Sequence, residues 1–151
     1  MRRILVTGMS GTGKSSALAE LADRGFRTVD TDEPGWTVED ADGGQWWEEE
    51  RIAELLAEDG PTLYVSGTVS NQIRFYDRFD AVVLLSAPAD VLLGRIVSRT
   101  TNDYGKSLAE RELILAHVRE VEPLLRATCT HEIDASRPLA DVVERLVEIG
   151  R

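Results

Sequence analysis

The sequence predicts an α/β protein in which a mainly parallel sheet is covered by helices on both faces, in three layers. Two observations predict this fold class. Apolar runs of strand length alternate with segments of helical periodicity, and Gly or Pro residues bound most of them. The 151 residues, of which 42% are hydrophobic, are enough to build a substantial core. We therefore expect a single domain over residues 1–151.

The first half of the chain alternates strand and helix. RRILVTG (residues 2–8) is an apolar run that ends in a glycine, and KSSALAELADRG (14–25) has helical spacing with Gly25 as its stop. FRTVDTD (26–32) is a second short strand, and residues 33–45 form a turn-rich connection. WWEEERIAELLAEDG (46–60) returns to helical spacing, and TLYVSG (62–67) is a third strand.

The second half continues the alternation. AVVLLSAP (81–88) is an apolar run that ends at a proline, and it precedes a helix at 89–99. A polar loop at 100–106 leads to a long helix at 107–127, the strand HEID (131–134) and an amphipathic helix at 138–150. The two polar connections, residues 33–44 and 100–106, are candidates for mobile flaps.

Composition narrows the class of partner and the compartment. The net charge is −10, with 17 basic and 27 acidic residues, and this balance argues against nucleic acid as the partner. No apolar run approaches the roughly 20 residues that a membrane span needs, so no membrane partner is expected. The single cysteine excludes an internal disulfide and favours a cytoplasmic location.

The stretch GMSGTGKSS follows the first strand and fits the phosphate-loop pattern G-x-x-x-x-G-K-[ST] in full. Its glycines allow backbone N–H groups to converge on an anion, and the next helix adds the positive end of its dipole. Lys14 can bridge the outer phosphates of a nucleoside triphosphate, and the Ser15 hydroxyl can ligate Mg²⁺. The predicted nucleotide-binding residues of this loop are Gly8, Met9, Ser10, Gly11, Thr12, Gly13, Lys14, Ser15 and Ser16.

From this motif onward the chain resembles the small P-loop kinases, the group that contains adenylate kinase, shikimate kinase and gluconate kinase. The resemblance runs from ILVTGMSGTGKSS to EIDASRPLADVVERL and so covers nearly the whole chain. It implies a single P-loop kinase domain with the P-loop NTPase fold, in which a five-stranded parallel sheet has the first strand at its centre. It also implies a short lid at about 99–106 and an acceptor-binding segment at about 33–60.

The segment VDTD closely matches the D-x-D motif of shikimate kinase. Residues two apart on a strand share a face, so Asp30 and Asp32 can both point toward the γ-phosphate and the acceptor. By resemblance, Asp30 lies near the metal or its waters and helps orient the attacking hydroxyl, which makes Ser15 and Asp30 the predicted metal site. Asp32 would bind acceptor hydroxyls.

Two later segments resemble the nucleotide-contacting parts of adenylate kinase. In GRIVSRTTNDYGK the resemblance assigns Arg95 to stacking on the adenine and Arg99 to the phosphates, where Arg99 would act as a catalytic residue beside Lys14 and Asp30. Arg111 or Arg119 from the next helix would assist it. EIDASRPLADV resembles the loop that contacts the base, which adds Arg137 to the predicted nucleotide site.

The strand TLYVSG departs from the usual P-loop pattern, because Ser66 stands where a Walker B strand ends in Asp. Shikimate kinase lacks that acid as well, so the departure agrees with the resemblance and leaves more of the metal binding to Ser15 and Asp30. By the same resemblance, Gly67 lets the backbone approach the acceptor closely.

The acceptor segment is acidic. Residues 28–60 contain many carboxylates and one basic residue, Arg51, so a second anionic substrate would be repelled unless Arg51 and Arg74 converge on it. We expect an acceptor that is neutral, cationic or singly charged. A nucleotide acceptor remains an alternative, because SNQIRFYDRFD resembles the arginine-aromatic-arginine approach of adenylate kinases. Trp36, in a turn between acids, is a candidate for stacking on the acceptor.

These features predict an ATP-dependent kinase that uses Mg²⁺ to transfer the γ-phosphate to a small-molecule acceptor. The acceptor group would be a hydroxyl, or a phosphate, of a small metabolite, nucleoside or nucleotide. Two alternatives remain, a nucleotide-dependent switch or adaptor with little acceptor turnover, and slow ATP hydrolysis. The protein would be a monomer or a homodimer.

Overall fold

Seven strands, six α-helices and one 3₁₀ helix make up the structure, a computed structural model that describes residues 2–9, 11–98 and 108–151. The strands are β1 (Arg3–Gly8), β2 (Arg27–Asp30), β3 (Thr37–Glu39), β4 (Gln45–Trp47), β5 (Leu63–Ser66), β6 (Ala81–Ser86) and β7 (His131–Asp134). The helices are α1 (Lys14–Asp23), α2 (Glu49–Ala57), α3 (Ala89–Val97), α4 (Leu108–Glu120), α5 (Glu122–Thr128) and α6 (Leu139–Ile149). The 3₁₀ helix covers Gln72–Arg78.

Five strands form one parallel sheet in the order β2-β5-β1-β6-β7. β1 lies at the centre, where Arg3 faces Leu63 of β5 and Ile4 faces Ala81 of β6. The predicted five-stranded parallel sheet with a central first strand is therefore confirmed. All five carboxyl ends meet at one edge of the sheet, which is where ligands bind in folds of this class.

The sheet separates two hydrophobic clusters, because alternate residues of each strand point to opposite faces. Ile4 and Val6 of β1 pack with α1 and α6 on one face, and Leu5 packs with α2 and the 3₁₀ helix on the other. The three-layer arrangement predicted from the sequence follows from this division. Both clusters are closed by helices whose buried side chains are mostly aliphatic.

The connection between β2 and α2 contains structure that the sequence analysis did not predict. β3 and β4 pair as an antiparallel hairpin, in which Thr37 faces Trp47 and Glu39 faces Gln45. The prediction that the helix begins at Trp46 is wrong, since Trp46 and Trp47 belong to β4 and α2 starts at Glu49. Trp47 is only 1% exposed and anchors the hairpin in the second cluster.

The long helix predicted over 107–127 is interrupted at Val121, which divides it into α4 and α5. Pro123 occupies the first turn of α5, where its missing N–H costs nothing, whereas inside a continuous helix it would break a backbone hydrogen bond. None of the helices in the described ranges is long and apolar enough to cross a membrane.

Candidate functional site

The phosphate-loop sequence connects β1 to α1 at the carboxyl edge of the sheet. Gly11 and Gly13 have left-handed φ angles of 86° and 88°, a conformation that side chains with a Cβ rarely adopt. A Cβ at Gly11 would also lie 2.9 Å from the Leu92 carbonyl oxygen of α3. Gly13 is the N-cap of α1, so the loop leads directly into the positive end of that helix. The predicted contact by Ser10 lies outside the described residues.

Lys14, at the start of α1, folds back over the loop. Its ammonium group donates hydrogen bonds to the Gly8 carbonyl at 2.6 Å and to the Met9 carbonyl at 3.2 Å. The side chain therefore places a positive charge at the mouth of the loop.

Ser15 and Asp30 meet between α1 and β2. The Ser15 hydroxyl donates to Asp30 Oδ2 at 2.8 Å, so the two residues predicted to hold the metal lie side by side. A hydroxyl and a carboxylate are hard oxygen donors of the kind that Mg²⁺ prefers, and Mg²⁺ usually completes its shell with water and phosphate oxygens. Within the described ranges, no cluster of three or more His, Cys, Asp or Glu residues forms a fuller protein site.

Asp32 lies next to this pair, just beyond the end of β2. Its backbone N–H donates to Asp30 Oδ1 at 3.0 Å, which turns the chain sharply after the strand. Desolvation by the surrounding atoms raises the pKa of the Asp32 carboxyl, the Asp30 charge raises it further, and Lys14 lowers it. Asp30, Asp32 and Lys14 therefore lie close enough to influence one another electrostatically.

Thr31, which directly follows β2, forms hydrogen bonds with the end of β5. The Ser66 carbonyl accepts hydrogen bonds from the N–H of Thr31 at 3.0 Å and from its hydroxyl at 2.7 Å. The Trp47 indole N–H donates to the same hydroxyl oxygen at 2.9 Å. A Cβ at Gly67 would collide with that oxygen and lie 3.2 Å from the indole nitrogen, so packing alone requires a glycine there.

Three polar residues after Gly67 were missed in the sequence analysis. Thr68 hydrogen-bonds to both the N–H and the carbonyl of Gly8 in the phosphate loop. Asn71 is buried and binds the backbone N–H and carbonyl of Trp47, and the buried Gln72 donates to the Thr7 hydroxyl. Their signal in the sequence is the polar run GTVSNQ, which directly follows an apolar strand at its carboxyl end.

Both arginines predicted to bind the acceptor are engaged with neighbouring tryptophans. The Arg51 guanidinium lies 4.2 Å from the centre of the Trp36 ring and donates to the Gly35 carbonyl at 2.6 Å. Arg74 lies 5.0 Å from the Trp46 ring and pairs with Glu49 at 2.9 Å. Trp36 is half-buried, and Arg51 covers one face of its ring.

A groove of about 440 Å³ runs along the hairpin, the start of α2 and the 3₁₀ helix. Its lining combines the Trp46 ring with carboxylates of the hairpin and of the start of α2, namely Glu39, Asp40, Glu48, Glu49 and Glu50. The basic residue among its described lining residues is Arg74, which is already paired with Glu49. This side of the molecule therefore carries a strongly negative field.

On the opposite side of the phosphate loop, Arg95 connects two loops. Its guanidinium donates to the Gly11 carbonyl at 3.2 Å and to the Ala135 carbonyl, just after β7, at 2.5 Å. Arg137 lies two residues beyond Ala135, so the structure brings both predicted base-contacting arginines to the same region of the edge. The predicted role of Arg99 and the predicted lid at about 99–106 lie outside the described residues.

Comparison with known proteins gives one family match and two relatives. The model of the AAA domain family matches residues 4–117. A nucleotide-binding protein of Paraburkholderia xenovorans is 30% identical over 99% of this chain, and so is one from Paraburkholderia phytofirmans. The chain spans 44% of the length of each relative.

Solved structures with a similar fold are small kinases. Shikimate kinase from Bacteroides thetaiotaomicron matches with a TM-score of 0.71 and 18% identity, covering 98% of this chain and 97% of that one. A gluconokinase from Sinorhizobium meliloti matches with a TM-score of 0.61 and 20% identity, covering 98% and 90%. At these identities the likeness shows the fold, which is that of the small P-loop kinases.

Proposed function

The chain belongs to the AAA domain family, and from that premise we propose that it is an ATP-dependent small-molecule kinase. The γ-phosphate would pass to a hydroxyl, or to a phosphate, of a small metabolite, nucleoside or nucleotide. The proposal goes beyond the family, because the two relatives are named only as nucleotide-binding proteins. It agrees with the fold, which this chain shares with small-molecule kinases.

One observation carries the proposal. Two carboxylates, Asp30 and Asp32, lie at the carboxyl edge of the sheet beside the phosphate loop, and only Asp30 is engaged by Ser15. A protein that only binds a nucleotide needs one acid for the metal. A second acid within electrostatic reach of Lys14 supports a separate task, the binding of an acceptor hydroxyl.

The roles of the chain's own residues follow from their positions. The N–H groups of the phosphate loop and of the first turn of α1 would hold the phosphates, and Lys14 would neutralise charge on the transferring group. Ser15 and Asp30 would hold Mg²⁺, which would offset the negative charge of the phosphates. Asp30 would also orient the attacking hydroxyl, and Asp32 would hold the acceptor in line. Arg95 and Arg137 would contact the base.

The charge around the hairpin narrows the class of acceptor. The carboxylates of the groove exceed its basic residues, and Arg51 and Arg74 are stacked on tryptophans rather than directed together at an open site. An anionic acceptor would have to displace these contacts against a negative field. We therefore favour a neutral or cationic alcohol, such as a nucleoside, a sugar, a cyclitol or an amino alcohol.

A second candidate function is a nucleotide-dependent switch. It is favoured by the length of the relatives, of which this chain spans less than half, because a nucleotide domain in a longer protein can report ligand binding to its neighbours. The two functions differ in one measurable property, since turnover by a kinase rises with an acceptor and turnover by a switch does not.

The deciding experiment measures ADP release from Mg·ATP with separate pools of nucleosides, nucleoside monophosphates, sugars, cyclitols and amino alcohols. We expect one neutral or cationic pool to raise turnover well above ATP alone. Lys14→Ala should reduce this turnover by about 100-fold or more, because it removes charge stabilisation from the transferring phosphate. Asp32→Ala should abolish the response to the acceptor and leave ADP affinity within about threefold.

Asp59→Ala is the matched control, because it removes a carboxylate that lies beyond the end of α2. It should leave the response to the acceptor unchanged. If ATP binds and no pool raises turnover, the kinase proposal is wrong and the switch replaces it. If a pool raises turnover equally in the Asp32→Ala variant, Asp32 does not bind the acceptor.

A further inference from the structure

We propose that Thr68 is a positioning residue. Its side chain holds the Gly8 peptide of the phosphate loop in the binding-competent orientation when a nucleotide is bound. The inference rests on the nucleotide binding proposed above, and it assigns a residue to that site outside the phosphate-loop motif. Thr68 follows β5, yet its hydroxyl contacts the end of β1.

The Thr68 hydroxyl has a complete set of partners. It donates to the Gly8 carbonyl at 2.7 Å and accepts from the Gly8 N–H at 3.2 Å. Because its one proton is used on the carbonyl, the Thr7 hydroxyl at 3.1 Å must be the donor in their contact. One side chain thus fixes both polar groups of Gly8, the first residue of the motif.

Two buried residues hold this arrangement in place. Thr7 is 0% exposed and Gln72 is 3% exposed, and the Gln72 amide donates to the Thr7 hydroxyl at 3.1 Å. The other end of the same amide accepts from the Val69 N–H at 2.9 Å. The chain of bonds Gln72–Thr7–Thr68–Gly8 therefore defines the direction of each proton and leaves the Thr68 hydroxyl little freedom to rotate.

The Gly8 carbonyl is shared between Thr68 and Lys14. In the present structure both side chains donate to it, Lys14 at 2.6 Å. When Lys14 turns to a bound phosphate, Thr68 is the described side-chain donor that remains. Before nucleotide binding, Lys14 still donates to the Gly8 carbonyl, so loss of the Thr68 hydroxyl has a small free-energy cost. After nucleotide binding, the same loss leaves this buried carbonyl without its side-chain donors, which costs more. Loss of the hydroxyl therefore destabilises the nucleotide-bound state more than the free state, which lowers the affinity for nucleotide. A contact that only stabilised the fold would affect the two states equally and leave the affinity unchanged.

The chain supplies a matched control at the opposite end of the sheet. Thr130 makes the same pair of bonds with Val82 at the start of β6, accepting from its N–H at 2.8 Å and donating to its carbonyl at 3.0 Å. Thr130→Val therefore removes the same chemistry from a site without phosphate contacts.

The test measures the dissociation constant of ADP with Mg²⁺ by calorimetry, together with the unfolding temperature of the ligand-free protein. Thr68→Val keeps the shape of the side chain and should weaken ADP binding by about tenfold. Thr68→Ser restores the hydroxyl and should bind within about twofold of the unmodified protein. Thr130→Val should lower the unfolding temperature and leave ADP affinity unchanged.

Equal ADP affinity in Thr68→Val and the unmodified protein would overturn the inference, as would an equal loss in Thr130→Val. If the unmodified protein binds no nucleotide, the proposed function fails first and the inference with it. Should Thr68→Val not fold, Thr68→Ala replaces it in the same comparison.

A second measurement needs no nucleotide. In the Lys14→Ala background, Thr68→Val should lower the unfolding temperature more than in the unmodified protein, because the Gly8 carbonyl then loses both side-chain donors. Additive effects of the two substitutions would contradict the shared-carbonyl argument.

Discussion

Asp30 and Asp32 are two residues apart in the sequence but have different surroundings. Asp30 accepts from the Ser15 hydroxyl and from the Asp32 N–H, so both of its oxygens are engaged. The Asp32 carboxyl has a raised pKa, because desolvation and the Asp30 charge both oppose its ionised form. These different surroundings agree with the different roles proposed above, in which Asp30 would hold the metal and Asp32 would bind the acceptor.

The pKa of Asp32 leads to a prediction for stability. A carboxyl whose pKa is higher in the folded state than in the unfolded state destabilises the fold once it ionises. Asp32→Asn should therefore raise the unfolding temperature of the ligand-free protein at neutral pH, by roughly 1–2 °C. The gain should shrink as the pH falls through the acid range, because Asp32 takes up its proton and loses the unfavourable charge. Thermal unfolding across this pH range measures it.

Asp77→Asn, at an exposed position on the 3₁₀ helix, serves as the control and should show no such gain. An unfolding temperature for Asp32→Asn below that of the unmodified protein at neutral pH would contradict the prediction. A gain in stability together with lost acceptor turnover would identify Asp32 as a functional residue maintained at a cost in stability.

At the scale of elements, the β3–β4 hairpin depends on one carboxylate. Asp40 Oδ1 accepts from the N–H groups of Gly44 at 2.7 Å and Asp42 at 2.9 Å, and Oδ2 accepts from the Trp46 indole at 2.8 Å. These bonds, led by that from Gly44, hold the pKa of Asp40 below its usual value. The side chain adds to the backbone bonds of the turn, in which the Asp40 N–H donates to the Gly44 carbonyl at 2.9 Å and the Gly43 N–H donates to the Asp40 carbonyl at 3.1 Å.

Asp40→Ala should therefore loosen the hairpin without unfolding the sheet. We expect amide hydrogens in residues 37–47 to exchange about tenfold faster, and the fluorescence of Trp46 to shift as its indole loses its acceptor. Asp42→Ala is the control, since Asp42 contributes its backbone N–H and not its side chain to the turn. Unchanged exchange in Asp40→Ala would show that strand pairing alone holds the hairpin.

The elements differ in how far the sequence predicts them. The five strands of the sheet were predictable: β1, β5 and β6 are apolar runs, and the short strands β2 (RTVD) and β7 (HEID) follow from the alternation of strands with helices. The hairpin was not, since TVEDADGGQWW lacks alternation and its turn is closed by the Asp40 side chain. The break at Val121 had a visible signal in Pro123, which the continuous helical spacing around it obscured.

The residues of the candidate site also differ in how far the sequence predicts them. The phosphate loop and the Asp30–Asp32 pair are local patterns, so their placement at one edge of the sheet follows from strand order. Thr68, Asn71 and Gln72 act on residues far away in the chain, at Gly8, Trp47 and Thr7. No spacing rule marks a hydroxyl that binds the backbone of a distant strand.

At the scale of the whole molecule, Trp47 joins the hairpin to the sheet. Its ring packs against Phe75 and Phe79 of the second cluster, with ring centres 5.8 and 6.4 Å away. Its indole N–H reaches Thr31 beside β5. The hairpin is therefore part of the same packed core as the α2 face of the sheet.

Trp47→Phe should lower the free energy of unfolding by about 2–3 kcal/mol, because it leaves a cavity and removes the indole donor from the Thr31 hydroxyl. Urea denaturation measures this change. Trp46→Phe is the control and should cost less than half as much, since Trp46 is half-buried and lies outside both clusters. Equal costs would show that the hairpin is not anchored through Trp47.

The pairing of the central strand also determines when the sheet can form during synthesis. β1 is translated before its partners, which are residues 63–66 and 81–85. β1 therefore has its full set of partners only after β6 has been translated, and parallel pairing of this kind closes long loops at an entropic cost. The phosphate loop is thus translated before β5 and β6, the strands that flank β1 in the sheet. Until then the apolar residues Ile4, Leu5 and Val6 lack the strands that bury them in the folded protein, which exposes this segment to aggregation.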